Sequence, residues 1–188
     1  MIAPAAALAL AVAGAFAATP DHWELSWRQG RDLIRRGEGQ AGKAERLVDF
    51  LEAESVLKRS VASSPASAEA HFWLDVAMGR RGETQGILKS IFLIAPIRRE
   101  MQETLRLDPG HGGAHRVLGE ILWQVPGIAG GDKKKAIEEF EAAVRLSPNN
   151  RENYLPLARA YMYFGRKKEA AGVLKALESV PAPVDPER

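Results

Sequence analysis

One helical phrase recurs along this chain, and each of its first three copies is followed at a constant distance by a proline. The phrase places small or apolar residues three and four positions apart, the spacing of one face of an α-helix. Because proline lacks a backbone N–H donor, each proline is expected to end a helix. The phrase starts and their prolines are Ala53 and Pro65, Ile97 and Pro109, and Ala136 and Pro148. The chain is therefore constrained to helices that end and restart at a regular interval.

A second helical pattern follows each proline. It begins with a ring-bearing residue and continues with large apolar or aromatic residues: His71, Leu74 and Met78; His115, Leu118 and Leu122; Tyr154, Leu157 and Tyr161. The small residues Gly119 and Ala158 stand where two antiparallel helices must approach closely. Two such helices in each unit resemble the tetratricopeptide repeat. We therefore predict an all-α fold, a tetratricopeptide-like superhelix of about four antiparallel helical hairpins.

The repeat pattern predicts the organisation of the chain after its N-terminal segment. We expect a degenerate N-terminal helical pair at residues 18–67, three tetratricopeptide-like repeats at residues 68–111, 112–150 and 151–184, and a short tail at residues 185–188. The last repeat has the usual length of about 34 residues. The two repeats before it are longer, and their excess is predicted to lie between the two helices of a hairpin. We call these segments the first insertion, residues 82–96, and the second insertion, residues 125–132.

The N-terminal segment has the features of a cleaved signal peptide. Met1 to Ala18 contains no charged side chain, and its apolar run ends at the small-residue site Ala15-Phe16-Ala17. The run is shorter than the roughly 20 residues that span a bilayer. We predict that residues 1–17 are removed and that the protein is periplasmic or otherwise extracytoplasmic. A retained anchor and a disordered alanine-rich tail are the alternatives.

Composition narrows the range of functions. The chain has 188 residues, enough for one domain, and its 26 Lys and Arg against 24 Asp and Glu give a net charge of +2. This balance does not favour nucleic acid as a partner. The absence of cysteine excludes disulfides, thiol catalysis, cysteine-bound metals and a cysteine-linked lipid anchor. Catalytic residue patterns are also missing, so we predict no enzymatic activity and no cofactor.

Several phrases resemble a narrower group, the TatT-type family, the T component associated with TRAP (tripartite ATP-independent periplasmic) transporters. They are Ala68–Leu74, Gly86–Ser90, Pro96–Met101, Val125–Gly127 and Gly130–Lys133. The resemblance runs from about Lys43 to Leu177 and includes both insertions. It implies a periplasmic scaffold that meets a solute-binding protein and serves TRAP-type solute uptake. Some family members are lipoproteins, whereas this chain has no cysteine to carry a lipid.

The first helix of each hairpin lines the concave face of such a superhelix. The usual inward positions predict a groove that binds a protein partner through Phe72, Arg80, Arg116, Glu120, Trp123, Arg159 and Tyr163. The same positions include Leu155 and Met162. Arg116 and Arg159 are expected to hold a carboxylate, while the aromatic rings supply apolar area. The alternative is that Phe72 and Trp123 belong to the core and that the arginines are solvated.

Basic residues recur near the turns between the two helices of successive hairpins. Stacking would align them along one edge, which we call the basic edge: Lys133, Lys134, Lys135, Arg166, Lys167 and Lys168. Such an edge suits acidic lipid headgroups or an acidic protein, with attachment that weakens as salt rises. An envelope assembly or membrane-docking factor is thus the alternative function. A solvated face, balanced by nearby glutamates, is the simpler interpretation.

Two local patterns invite a ligand site and are better explained by structure. His111 and His115 have the i, i+4 spacing of two metal ligands on a helix. The glycines between them weaken that helix, and His115 shares its repeat position with His71, so we predict no metal site. The glycine-rich second insertion lacks the strand and the G-K-[ST] sequence of a phosphate loop. Asp132 is instead predicted to be the N-cap of the next helix.

Two apolar surfaces are candidates for association. Residues 86–96 form the most hydrophobic stretch after the N-terminal segment. We interpret them as packing beneath a neighbouring hairpin rather than presenting Ile91, Phe92 and Ile94 to a partner. No polar capping helix follows the last repeat, so Val173 and Leu177 are predicted to be partly exposed and to favour a homo-oligomer.

Overall fold

A computed structural model describes residues 22–182, and all regular structure within that range is helical. The predicted signal peptide, residues 1–17, and the predicted tail, residues 185–188, lie outside it. The α-helices are α1 His22–Gly39, α2 Lys43–Ser63, α3 Ala68–Gln85, α4 Ile87–Ile91, α5 Ile94–Leu107, α6 Gly112–Gln124, α7 Lys133–Leu146, α8 Tyr154–Tyr163 and α9 Lys167–Glu178. Short 3-10 helices, Gly127–Ala129 and Arg151–Asn153, precede α7 and α8.

The helices pack as hairpins in chain order. Helix α1 packs on α2, α3 on α5, α6 on α7, and α8 on α9, while α4 lies against α3. Each hairpin contacts the next through α2 and α3, through α5 and α6, and through α7 and α8. The prediction of an all-α, tetratricopeptide-like superhelix is confirmed. Among residues 22–182, no helix is both long enough and apolar enough to cross a membrane.

The prolines mark the helix ends that the sequence predicts. Helices α2, α5 and α7 end two residues before Pro65, Pro109 and Pro148. A side chain then caps the next helix in each of the three turns, and after Pro148 it is Asn150, whose Oδ1 accepts from the Glu152 N–H of the 3-10 helix at 3.1 Å. The Ser67 hydroxyl accepts a hydrogen bond from the Ala70 N–H at 3.2 Å. The His111 Nδ1 accepts one from the Ala114 N–H at 3.1 Å, so this imidazole begins α6.

Asp132 begins α7 in the predicted way. Its Oδ1 accepts hydrogen bonds from the backbone N–H groups of Lys134 and Lys135 at 3.0 and 3.1 Å. These are two of the N–H groups that have no partner within the helix. The N-cap prediction is confirmed.

Close helix packing explains one glycine in the repeat pattern. Gly119 of α6 faces α7, and a Cβ atom at this position would lie 2.6 Å from Cε1 of the Phe140 ring. Phe140 is itself almost fully buried, in a cluster that joins α7, α8 and α9. The predicted close approach at Gly119 is confirmed, because no larger side chain fits without moving the ring.

Phe72 is buried, although it was predicted to line the groove. It packs with Met101 and Ala114 where α3, α5 and α6 meet. Its ring centroid lies 4.4 Å from that of His111. The second interpretation, a core residue, is correct for Phe72, because the turn before α6 covers this face of α3.

The first insertion does not pack as predicted. Helix α3 runs on to Gln85, Gly86 takes a left-handed φ of 102°, and the short α4 follows. Leu93 is buried, but Leu88 and Phe92 are 75% and 81% exposed and Ile91 is also exposed. Helix α4 contacts α3, but its five residues make fewer than two turns and leave Leu88 and Ile91 uncovered.

Candidate functional site

Four predicted groove residues meet where α6 lies beside α8. Arg159 Nη2 donates a hydrogen bond to Glu120 Oε1 at 3.1 Å. About one turn further along, the rings of Trp123 and Tyr163 meet edge to face, with their centroids 5.2 Å apart. These contacts place the four side chains on one surface. We call this surface the groove face and include in it Leu155 and Met162 of α8.

The groove face exposes apolar side chains that the fold does not need for its own packing. Leu155 and Tyr163 are 59% and 60% exposed, and Met162 is also exposed. The other side of α8 is buried, because Leu157 and Tyr161 pack in the cluster around Phe140 that joins α7, α8 and α9. Helix α8 therefore has two apolar sides, of which the hairpin stack covers one. An exposed apolar side next to charged residues is typical of a binding surface.

Lys133 lies against the aromatic pair. Its Nζ is 4.0 Å from the centroid of the Tyr163 ring and 5.2 Å from that of Trp123, within the range of a cation–π contact. The ammonium of Lys133, which the sequence analysis assigns to the basic edge, therefore reaches the groove face. The three side chains border a cavity of about 450 Å³ that the second insertion closes on one side through Val125, Pro126, Gly127, Gly131 and Asp132.

The arginines predicted to hold a partner's carboxylate are paired with carboxylates of this chain. Arg159 bonds to Glu120, as described, and Arg116 Nη2 lies 3.1 Å from Glu152 Oε2. The side chain of Glu120 is partly exposed and that of Glu152 is exposed. A partner carboxylate would therefore compete with these glutamates for the arginines rather than fill an empty site. The structure thus gives these arginines a positioning contact that sequence spacing does not reveal.

Arg80 does not join the groove face. Its Nε donates to Glu38 Oε1 of α1 at 2.7 Å, and its Nη1 donates to Glu83 Oε2 at 3.1 Å. It borders a separate cavity of about 440 Å³ between the first three helices, together with Lys43 and Phe50. The structure therefore splits the predicted groove, and only the part on α6 and α8 forms one surface.

A buried carboxyl group lies between α3, α5 and α6, and the sequence analysis did not single it out. Asp75 is almost fully buried, and its Oδ1 has no hydrogen-bond partner. Burial raises the pKa of Asp75 well above its usual range, Glu100 raises it further, and Arg116 opposes the shift. An aspartate in a helix gives no sequence signal of burial by itself. The residue could have been found only through its position between Leu74 and Ala77, which are both core residues.

The histidines serve packing and capping. His71 Nδ1 lies 2.6 Å from Glu100 Oε2, and His115 Nδ1 lies 2.6 Å from Glu139 Oε2. His111 caps α6, so His111 and His115 face different partners. Among the described residues, no group of three or more His, Asp or Glu side chains is placed to hold a metal ion.

The rest of the basic edge is divided. Lys134, Lys135, Lys167 and Lys168 are exposed. Arg166 instead forms hydrogen bonds with Glu169, and its guanidinium lies 4.1 Å from the centroid of the Tyr161 ring. The edge therefore presents four exposed ammonium groups, two from the start of α7 and two from the start of α9.

Comparison with known families fits this all-helical repeat. The sequence pattern of a family described as "Regulator of microtubule dynamics protein 1-3", here the RMD family, matches residues 8–129. The chain belongs to the RMD family. The matched range includes α1 to α6 and the first insertion, and it ends within the second insertion. The TatT-type resemblance remains a prediction from short phrases.

Curated RMD proteins align along most of this chain. "Regulator of microtubule dynamics protein 1" of Bos taurus is 27% identical in an alignment 177 positions long, which covers 85% of this chain and 56% of that protein. The Homo sapiens protein of the same name is 24% identical in an alignment 176 positions long, which covers 85% of this chain and 55% of that protein. The chain thus spans a little over half the length of these relatives.

Solved structures support the fold. MamA superimposes with a TM-score of 0.55 at 22% identity, covering 85% of this chain and 78% of MamA. The thermophilic tetratricopeptide protein TTC0263 of Thermus thermophilus gives 0.56 at 18% identity, covering 80% and 74%. At such low identity, this similarity concerns the backbone architecture alone.

Proposed function

We propose that this chain is a tetratricopeptide-type protein-binding scaffold and that its groove face holds a segment of a partner protein. The observation that carries the proposal is the second apolar side of α8. Leu155, Met162 and Tyr163 remain exposed beside Trp123, although each would be buried by a chain laid across α6 and α8. Tyr and Trp dominate the energetic centres of interfaces, and methionine adapts to varied partners.

The charges of the groove face suggest the chemistry of the segment that it takes. Arg159 is paired with Glu120, and Lys133 lies over the Tyr163 ring, so charges of both signs lie at the border of the apolar area. A mainly apolar segment with few charges suits this arrangement, because it covers the rings without requiring the internal ion pairs to break. Helix-in-groove and extended-segment recognition both meet this requirement.

The names of the relatives suggest one class of partner. According to those names, the relatives regulate microtubule dynamics. We propose that the partner of this chain is likewise a component of microtubule regulation. Polymerised tubulin is the first probe to use. Binding in a sedimentation assay that is lost when the groove face is altered would support this class.

The N-terminal sequence suggests a different class. If residues 1–17 direct export, the chain works outside the cytoplasm, and a solute-binding protein of a TRAP-type system becomes the partner to test. The two classes of partner require different compartments. N-terminal sequencing of the protein recovered from its cells, together with fractionation, therefore decides which probe is relevant. In both cases we propose binding and not catalysis.

The double variant Met162→Ala plus Tyr163→Ala tests the groove face. Both side chains are exposed, so the far-ultraviolet circular dichroism should not change. Loss of one interface hot spot weakens binding by about 30-fold or more. Leu174→Ala on α9 is the matched control, because Leu174 is an exposed apolar residue outside the groove face. Equal binding by both variants and the unaltered chain would reject the proposal.

A further inference from the structure

We propose that the tips of the two insertions form a membrane-docking surface that seats on a bilayer carrying anionic phospholipids. This proposal does not rest on the groove face. It uses a different part of the molecule and would stand if the groove face bound nothing.

The tips present protruding apolar side chains. In the first insertion, Leu88, Ile91 and Phe92 are exposed on and directly after α4. In the second, Ile128 is fully exposed within a 3-10 turn. Large apolar side chains held at this exposure by short helical turns contribute little to folding, because most of their surface stays in water in the folded chain. They are suited to shallow insertion at the boundary between headgroups and acyl chains.

A hydrogen bond links the second insertion to α5, the helix that follows Phe92. Arg98, in the second turn of α5, donates from Nη2 to the carbonyl oxygen of Gly130 at 3.4 Å. The second insertion therefore lies against the start of α5, and Phe92 precedes that helix by only two residues. The apolar tips thus belong to one side of the molecule although 36 residues separate Phe92 from Ile128 in sequence.

The charges around the tips have one dominant sign. Residues 86–99 contain Lys89, Arg98 and Arg99 and no acidic residue. Residues 125–135 contain three lysines and one acidic residue, Asp132, whose carboxylate caps α7. Lys134 and Lys135 are exposed and follow directly on the second insertion.

This combination favours a lipid surface over a protein as the occupant. The apolar groups protrude from both tips. Within residues 86–99 and 125–135, six cationic side chains stand against one acidic residue, Asp132, a balance that suits an anionic surface. Anionic headgroups attract clustered lysines, and shallow apolar insertion adds to that attraction, so that together the two signals give stable docking.

The absence of native cysteine permits a local test with the full chain. Ile128→Cys and, as a control, Leu174→Cys are labelled with an environment-sensitive fluorophore. Each is mixed with vesicles of phosphatidylcholine plus phosphatidylserine and with vesicles of phosphatidylcholine alone. A label reports its own surroundings, so vesicle binding through the apolar N-terminal residues does not produce the expected signal at residue 128.

We expect the label at residue 128 to brighten and shift to the blue on anionic vesicles only, and the label at residue 174 to stay unchanged. Lys134→Glu plus Lys135→Glu in the labelled Ile128→Cys chain should weaken this response by about tenfold or more. Phe92→Ser should weaken it as well. High salt should reduce it.

Three outcomes would overturn the proposal. One is an unchanged label at residue 128 while the chain sediments with the vesicles. Another is an equal response on vesicles without phosphatidylserine, and a third is full retention of the response in the glutamate variant. If instead Phe92→Ser abolishes binding of a purified protein in the absence of vesicles and the label is silent on lipid, the surface binds protein and the proposal is wrong.

Discussion

His71 and His115, which occupy the same position in successive repeats, make the same two contacts. Each imidazole Nδ1 lies 2.6 Å from a glutamate Oε2 on the second helix of its hairpin, Glu100 or Glu139. Each Nε2 lies 3.1 Å from the carbonyl oxygen of the proline six residues earlier. A carbonyl oxygen only accepts, so Nε2 is the donor. The ring thus ties the turn before its helix to the second helix of the same hairpin.

The third repeat keeps half of this arrangement. The Tyr154 hydroxyl donates to the carbonyl oxygen of Pro148 at 2.7 Å. His71→Ala should lower the free energy of unfolding by about 1–3 kcal/mol, because it removes both contacts of a buried ring. Tyr154→Phe should lower it by about 0.5–1.5 kcal/mol, because it removes one. Urea denaturation followed by circular dichroism measures both losses. Equal losses, or a larger loss for Tyr154→Phe than for His71→Ala, would contradict this interpretation.

A pair of glycine substitutions tests the close approach of α6 and α7. Gly119→Ala gains about 0.5–1 kcal/mol of helix propensity but forces a Cβ into the buried Phe140 ring, and overpacking of this kind costs about 1–3 kcal/mol. We expect net destabilisation. Gly172→Ala in α9 is the matched control, since apart from the adjoining backbone of its own helix no atom lies within 4 Å of the new Cβ, and it should stabilise the protein. If thermal denaturation shows both variants shifting in the same direction, Gly119 is not a packing glycine.

Asp75 predicts a pH dependence of stability. Its pKa is raised in the folded state by burial, then by Glu100. A raised folded-state pKa contributes stability that is present below the unfolded value of about 3.9 and is lost as pH rises through the folded value. Asp75→Asn removes the ionisable group and therefore also removes this loss of stability at higher pH. The variant should therefore unfold at a higher temperature than the natural chain at pH 7, with the difference shrinking below pH 4.

Calorimetric melts from pH 3 to pH 8 measure this difference. Asp108→Asn is a suitable control, because Asp108 is exposed in the turn after α5. A constant difference between Asp75→Asn and the natural chain at all pH values would show that the carboxyl of Asp75 does not titrate differently on folding.

Asn153 stabilises the turn between the last two hairpins. It is fully buried, and its Nδ2 donates to the carbonyl oxygens of Ala143 and Ser147 at 2.9 and 3.0 Å. Asn153→Ala should lower the free energy of unfolding by about 1–3 kcal/mol. Asn153→Asp should cost more at pH 7, where an ionised carboxylate would face two carbonyl oxygens, and less at acid pH. Denaturant titrations at two pH values check this, and equal losses for Asn153→Asp at both would contradict it.

The sequence predicts the helices and their ends because local chemistry determines them. Pro65, Pro109 and Pro148 each follow the end of a helix by two residues. Asp132 caps α7 through its own neighbours, and Gly119 marks a crossing that admits no side chain. The repeat spacing then orders the hairpins. These features need no knowledge of distant contacts.

The candidate site was predicted only in part, because exposure depends on what other segments cover. Phe72 has the spacing of a groove residue, but the turn carrying His111 buries it. Lys133 has the spacing of a solvated cation, but its ammonium lies over the ring of Tyr163, which comes from another hairpin. Phe92 lies in a segment with the composition of a protein core, but the short helix α4 does not bury it. Each error arises at an insertion or a junction, where the repeat pattern gives no guidance.

The most direct test of the scaffold proposal is site-specific photo-crosslinking of the full chain in its own cells. A photoreactive phenylalanine analogue is placed at Leu155, at Tyr163 or, as the control, at Leu174. We predict that positions 155 and 163 crosslink to neighbouring residues of one peptide in one partner protein and that position 174 does not. Crosslinks from all three positions to unrelated proteins, or none from positions 155 and 163, would contradict binding at the groove face.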